Sequence, residues 1–257
     1  MLAKDFFLPP SNPDESIWRY IDFPKYVSLL VTKSLYFSRS DLLGDPYEGS
    51  YPVSNKLIRE EFAETLAEHF KDKVGDPQFW NNTFLKKISA NHKGIAKSVY
   101  INCWHINSHE SAAMWSIYSK NNRGIAIQSS YKKLRECFPG NNIHIGKVNY
   151  IDFEKDTIPE VNVLLPFVYK RKSYEHEREL RALIFDVDTK AFQKGTWPSE
   201  QAPGITRPIN AKKLISNIYI APHADSWYEK IVIDVTRKYG LKNVDVIRSP
   251  LENEPFY

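Results

Sequence analysis

Between residues 170 and 184 the chain reads Lys170-Arg171-Lys172-Ser173-Tyr174-Glu175-His176-Glu177-Arg178-Glu179-Leu180-Arg181-Ala182-Leu183-Ile184, a dense charge run passing without a break into an apolar segment. Burial of a strand ordinarily selects against charge, so this stretch constrains the fold more than any other. If it is extended, Glu175, Glu177, Glu179 and Arg181 share one face, because side chains alternate with a period of two. That face is either a solvated edge or the floor of a polar site. Glu175 reads as part of an exposed charge ladder. Glu179 enters the apolar run and is the carboxylate expected to be buried.

The 257 residues are 42% hydrophobic, enough for a core, and are expected to form one domain spanning 1–257. No stretch approaches the roughly 20 apolar residues of a membrane span, and the opening residues lack an apolar signal region. The expectation is a soluble, cytoplasmic protein with no membrane partner. The two cysteines, Cys103 and Cys137, have neither zinc-site nor disulfide-framework spacing. A net charge of +4 is spread among nearly as many acids as bases, so charge alone does not argue for nucleic acid. Fifteen Tyr, 14 Phe and 6 Trp are the more unusual feature, and several stand beside polar residues where they could wall a site for a planar ligand.

Periodicity predicts a helix over 23–33 and a strand over 35–38, then a loop at Gly44-Asp45-Pro46-Tyr47-Glu48-Gly49. Two amphipathic helices follow at 54–71 and 76–90, read as a surface insertion or lid over 54–90. Strands are expected at 99–104, 124–128, 143–151 and 178–187. A helix is expected over 110–118, with Ala113, Met114, Ile117 and Tyr118 inward. The Gly- and Pro-rich 195–208 segment reads as a loop, before a terminal strand, helix and strand at 217–221, 226–239 and 244–247. The irregular interleaving points to α+β, a single domain with a central mixed, mostly antiparallel sheet flanked by helices. A Gly-rich nucleotide fingerprint, a Walker loop and a nucleophile elbow are all absent from the sequence.

His105 and His109 stand four apart beside Glu110, but the helical zinc motif places its glutamate between the histidines, so a metal reading is not adopted. Ser108 is instead expected to cap the helix, with Glu110 near its N-terminus. Trp104, His105, Trp115 and Tyr118 form a polar strand end among aromatics, either a ligand wall or a packed corner. Asp45 and Glu48 follow a strand, a common place for site residues; they are equally read as a turn and a solvated acid. Trp18-Arg19-Tyr20 sets one cation between two rings, suited to a phosphate beside a stacked ring; Arg19 is equally read as a surface partner of Asp22 or Glu15.

Taken in order, Trp18-Arg19-Tyr20-Ile21-Asp22, Leu35-Tyr36-Phe37-Ser38-Arg39, Asp45-Pro46-Tyr47-Glu48-Gly49, Cys103-Trp104-His105, Glu110-Ser111-Ala112-Ala113-Met114-Trp115, Gly124-Ile125-Ala126-Ile127 and the 170–181 run resemble the bacterial family called domain of unknown function 2971. The early and late parts of the pattern also resemble the ADP-ribosyltransferase fold of DNA-modifying toxins. That resemblance implies an NAD pocket. Arg19 with Tyr20 would contact NAD phosphate or ribose, and Tyr36 and Ser38 the nicotinamide side. Asp45 and Glu48 would form the adjoining loop, and Trp104, His105, Trp115 and Tyr118 the wall. Glu179 takes the catalytic position, with Glu177 two residues before it in a Glu-x-Glu register that can be assigned either way. NAD would be the substrate, and a nucleic acid or protein the acceptor. Leu43-Gly44 departs from the toxin pattern, where an aromatic and Asn tend to stand. Two other readings stay open: a nucleotide-binding or regulatory module without turnover, and a metal-dependent nucleic-acid-processing enzyme using Asp45, Glu48, Glu177 and Glu179.

Overall fold

Apolar residues on both faces set strand β1 (Ser16–Asp22) into the sheet with each face covered. Ile17 and Ile21 join the largest apolar cluster, while Trp18 and Tyr20 join a separate one with Met114 and Trp115. Arg19 therefore falls on the face between Ile17 and Ile21. Asp22 ends the strand and caps α1 (Phe23–Thr32), its side chain accepting from the Lys25 amide, with Pro24 in the first turn. The computed structural model describes residues 6–70, 77–140, 142–187, 190, 194, 196–197 and 201–255, without the side chains of 77–81 and 120.

Along the chain follow β2 (Ser34–Arg39), α2 (Val53–His69), α3 (Pro77–Ser98), β3 (Val99–Ile106), α4 (Ala112–Tyr118), β4 (Gly124–Ser130) and α5 (Tyr131–Glu136). Then come β5 (His144–Lys147), β6 (Asn149–Ile151), β7 (Tyr169–Arg171), β8 (Glu179–Phe185), β9 (Gly204–Pro208), α6 (Ala211–Leu214), β10 (Asn217–Ile220), α7 (Ser226–Lys238) and β11 (Asp245–Arg248). Nine strands make one mixed sheet with the path β11-β10-β4-β1-β3-β2-β9, and with β8 joined to β3 and β5 to β8. The β10–β11 pair is parallel; the other pairings in this sheet are antiparallel. Strands β6 and β7 form a separate short parallel ladder. The α+β class and the mostly antiparallel sheet flanked by helices are as the sequence leads one to expect. Among the described residues no helix is long and apolar enough to cross a membrane.

Strand β3 carries the feature that positions the site. One edge pairs with β8 from Val99 opposite Phe185 to His105 opposite Glu179. The other edge is shared: β1 pairs at His105 and Ile106, and β2 at Tyr100 and Ile101. Between them β1 and β2 diverge, and Asn102 to Trp104 have no ladder partner on that side. Buried backbone groups must still find partners. The Arg19 Nη1 donates to the Cys103 carbonyl at 2.8 Å, and Asn102 Nδ2 donates to the Tyr36 carbonyl at 2.8 Å. Asn102 Oδ1 in turn accepts from Trp104 Nε1 at 2.7 Å. Side chains thus bridge a fork that backbone pairing leaves open.

Several elements differ from the sequence reading. Residues 172–177 form a 3₁₀ turn closed by Arg178 in the left-handed region, so Glu175 and Glu177 do not share a strand face with Glu179 and Arg181. Helix α4 starts at Ala112 with Ser111 as cap, accepting from the Met114 amide; Ser108 instead contacts the His109 ring. Its buried side chains are Met114 and Trp115, and Ala113, Ile117 and Tyr118 are exposed, because two turns of helix meet only the Trp18 and Tyr20 face. Helix α3 runs past Ala90 to Ser98, directly into β3, and the 143–151 strand is two strands parted at Val148. Gly204–Pro208 is a strand, with Pro208 at its end on the sheet edge, where a missing amide does little harm. The expected loop's residues 195 and 198–200, and residues 71–76 between the two long helices, lie outside the described residues. Helix α2 of the expected insertion is pinned: buried Asn55 exchanges hydrogen bonds of 2.8 Å with the Ile158 backbone in both directions, and Arg59 pairs with Glu160 at 2.9 Å.

Candidate functional site

A cavity of about 830 Å³ opens at the fork, within the roughly 300–1,000 Å³ of small-molecule sites. Arg19 and Tyr20 enter from β1, Tyr36 and Ser38 from β2, and Cys103 and Trp104 from β3. The Asp45–Glu48 loop, Tyr118, Lys170, Tyr174, Glu177, Glu179 and Arg181 complete the wall. The phenol end of Tyr36 meets β9 at Gly204, where a Cβ would stand 2.1 Å from the ring, so glycine there leaves room for it.

Buried charges on the floor are paired in sequence. Lys170 Nζ donates to Glu177 Oε2 at 2.5 Å and to Glu179 Oε1 at 2.8 Å. Arg181, 1% exposed, donates to Glu179 through Nε at 2.8 Å and Nη2 at 3.0 Å. Its other face grips Glu48 with a two-pronged contact and reaches the Phe167 carbonyl at 2.8 Å. A planar guanidinium with five donors suits such a fork between carboxylates. Asp45 pairs with Arg171 at 2.7 Å and accepts from the Tyr47 amide at 3.0 Å, so it sets the turn and belongs to the charged wall.

The two central carboxyls titrate in opposite directions. Burial alone would raise Glu179, but the adjacent Arg181, the Glu177 carboxyl and Lys170 outweigh it and hold Glu179 well below the usual carboxylate range. Burial, then the hydrogen bond to Glu179 and the charge of Glu179, push Glu177 up to about 7. A carboxylate has about four acceptor positions. Lys170 and Arg181 occupy three on Glu179, and the Glu177 proton competes for the fourth, which an incoming hydroxyl could take. Burial, reinforced by Glu179, holds the Cys103 thiol well up, so it stays protonated.

Arg19 differs from the other cations. Among the described residues no carboxylate lies within ion-pair distance of it, and its one hydrogen bond is to the Cys103 carbonyl. Burial draws its pKa down with only Cys103 and Tyr118 opposing, which marks a guanidinium held without a counter-ion. Such a group facing a cavity is suited to an anionic ligand.

Of the residues singled out in the sequence, Glu179, Glu177, Arg19, Tyr20, Tyr36, Ser38, Asp45, Glu48, Trp104 and Tyr118 line this one cavity. His105 and Trp115 do not. His105 Nδ1 contacts the Glu177 carbonyl at 2.7 Å, supporting the turn behind the site, while Trp115 packs edge-on against Tyr20 and donates to Glu110 at 2.6 Å. Both rings lie edge-on to Tyr20, whose hydroxyl accepts from the Ser111 amide. Lys170, Tyr174, Cys103 and Arg181 are site residues that sequence reasoning did not assign a role. Three of them stand in the charge run; Cys103 stands in the Cys103-Trp104-His105 segment, but the sequence reading weighs it only for zinc or disulfide spacing. No protein-family model, curated protein or solved structure matches this chain.

Proposed function

We propose that this protein is an NAD-using ADP-ribosyltransferase-like enzyme acting in the cytoplasm on a nucleic acid or protein acceptor, as a toxin or phage-defence effector. The observation that carries the reading is one ligand-sized cavity holding an unpaired Arg19, an anionic Glu179 and a Glu177 that takes up its proton near neutrality. Bound NAD would supply a ribose joined to a cationic nicotinamide leaving group. Arg19 would hold phosphate, and the half-exposed Tyr36 ring would pack on the planar ring. Glu179 would accept a ribose hydroxyl and stabilise the positive charge that develops on the sugar as the glycosidic bond breaks and its electron pair leaves with nicotinamide. Glu177, as carboxylate, would take the proton of the acceptor nucleophile as its lone pair bonds the same carbon.

The test is nicotinamide release by wild-type, Glu179→Gln and Glu177→Gln protein, with thermal melting alongside. Glu179→Gln is expected to lose about 10²–10³ in rate, the usual effect of removing a preorganised charge-stabilising group. Full release by a folded Glu179→Gln protein would falsify the assignment. Because Lys170 and Arg181 already occupy both oxygens of Glu179, a second reading is a nucleotide-binding module; NAD bound without nicotinamide release would favour it. The metal-dependent alternative has less support, since Glu48 and Glu179 are turned onto Arg181 and, among the described residues, no group of three or more metal-ligating side chains is assembled.

A further inference from the structure

A second cavity, of about 530 Å³, adjoins the first, and Tyr118 and Lys25 line both. Its wall is aromatic: Trp227 and Tyr228 from the first turn of α7, Phe23 from α1, and Tyr118. Trp227 is 48% exposed on the surface of a chain that buries Trp18, Trp104 and Trp115. An exposed indole lining a cavity is suited to stacking on a planar group.

The ring is held ready. The Arg123 guanidinium lies 5.1 Å from the Trp227 centroid and covers one of its faces. The Arg123 backbone is fixed in turn, because its carbonyl accepts from the Tyr228 hydroxyl at 2.7 Å and the preceding Asn121 and Asn122 adopt left-handed backbone in the turn before β4. Among the described residues the one acid on this wall, Asp22, is paired with Lys25 at 2.9 Å and caps α1. Arg19 in the first cavity and Arg123 on the wall of the second have no acid within ion-pair distance among the described residues, and the exposed Lys25–Asp22 pair lies on the wall between them, in keeping with a phosphate-linked ligand spanning both.

We propose that the second cavity is a subsite for the second nucleobase of a dinucleotide whose other half occupies the fork, with Trp227 stacking that base and Lys25 meeting the linking phosphates. The inference rests on the NAD reading of the fork and names the part of the ligand, the adenine, that the Glu177–Glu179 site does not touch. The fork itself is filled by the sugar and leaving group, so the two halves can be probed separately.

The experiment is calorimetric titration of NAD, nicotinamide mononucleotide and AMP into wild-type, Trp227→Ala and Trp227→Phe protein, with nicotinamide release measured on the same samples. Trp227→Ala is expected to weaken NAD and AMP about tenfold, the scale of losing one aromatic–base stack, while nicotinamide mononucleotide is unchanged and Trp227→Phe recovers most of the loss. Unchanged NAD and AMP affinity in Trp227→Ala overturns the inference, as does an equal loss of all three ligands or the absence of NAD and AMP binding by wild type. Bound NAD that depends on Trp227 but releases no nicotinamide supports the subsite and overturns only the catalytic reading.

Discussion

Glu177 and Glu179 stand two positions apart, yet one keeps its proton up to about 7 and the other releases it well below the ordinary range. The difference lies in their cations: Glu179 has Arg181 and Lys170, and Glu177 has Lys170 alone. Linkage makes this measurable. A carboxyl whose folded value is raised binds its proton more tightly folded than unfolded, so its contribution is present at low pH and is lost as pH rises from about 4.5 to about 7. Replacing Glu177 by Gln, which mimics the protonated form, should leave stability nearly unchanged below that window and raise it relative to wild type above. Urea melts across pH 4 to 8 would show a difference growing through the window; a difference flat with pH would mean that Glu177 is not raised. Glu179 has the opposite sign: its contribution holds at neutral pH and is lost progressively as pH falls from about 4.5 to its depressed folded value. In acceptor transfer, where Glu177 must be unprotonated, the rate should climb with pH through about 7 and lose that dependence in Glu177→Gln.

At the scale of elements the fork between β1 and β2 has to be closed by side chains, and Asn102 serves both sides, donating to the Tyr36 carbonyl and accepting from Trp104. Asn102→Ala would strand a buried indole N–H and a carbonyl, and should cost about 1–3 kcal/mol in chemical denaturation; a cost near zero would mean that water replaces the amide. Gly204 makes a second prediction here. A methyl group at that position would push the Tyr36 ring off β9, so Gly204→Ala should change ligand affinity at the fork more than it changes the melting temperature. Strands β2, β3, β4 and β8 were legible because runs of apolar residues mark them; β1 was not, because Trp18-Arg19-Tyr20 reads as a site motif ahead of the first helix. Strand β9 was not, since Gly204 and Pro208 carry loop signals and its pairing with β2 is a tertiary fact. The fork was likewise hidden: Asn102, Cys103 and Trp104 look like any strand residues until two partners compete for one edge.

Across the whole molecule the charge run proves to be a clamp as well as a site. Sequence order brought Glu179 and Arg181 together by strand periodicity, but nothing local could foretell that Glu48, 133 residues away, would lie against Arg181. Through that one guanidinium the Asp45–Glu48 loop, the Phe167 backbone and β8 are joined. Gly49, in left-handed backbone and packed on the Phe167 ring, lets the loop approach that closely. Removing one member of a buried ion network leaves its partners charged and dry, which costs about 3–5 kcal/mol. Arg181→Met should therefore lose stability on that scale in urea unfolding, despite keeping similar bulk. The double variant Arg181→Met with Glu48→Gln should lose less than Arg181→Met alone, since one of the two stranded carboxylates is gone and the effects of touching residues do not add. If the double variant is instead the less stable by the sum of the two single changes, Glu48 and Arg181 act independently, and the loop is held to the sheet by Asp45 and Arg171 rather than by the buried guanidinium.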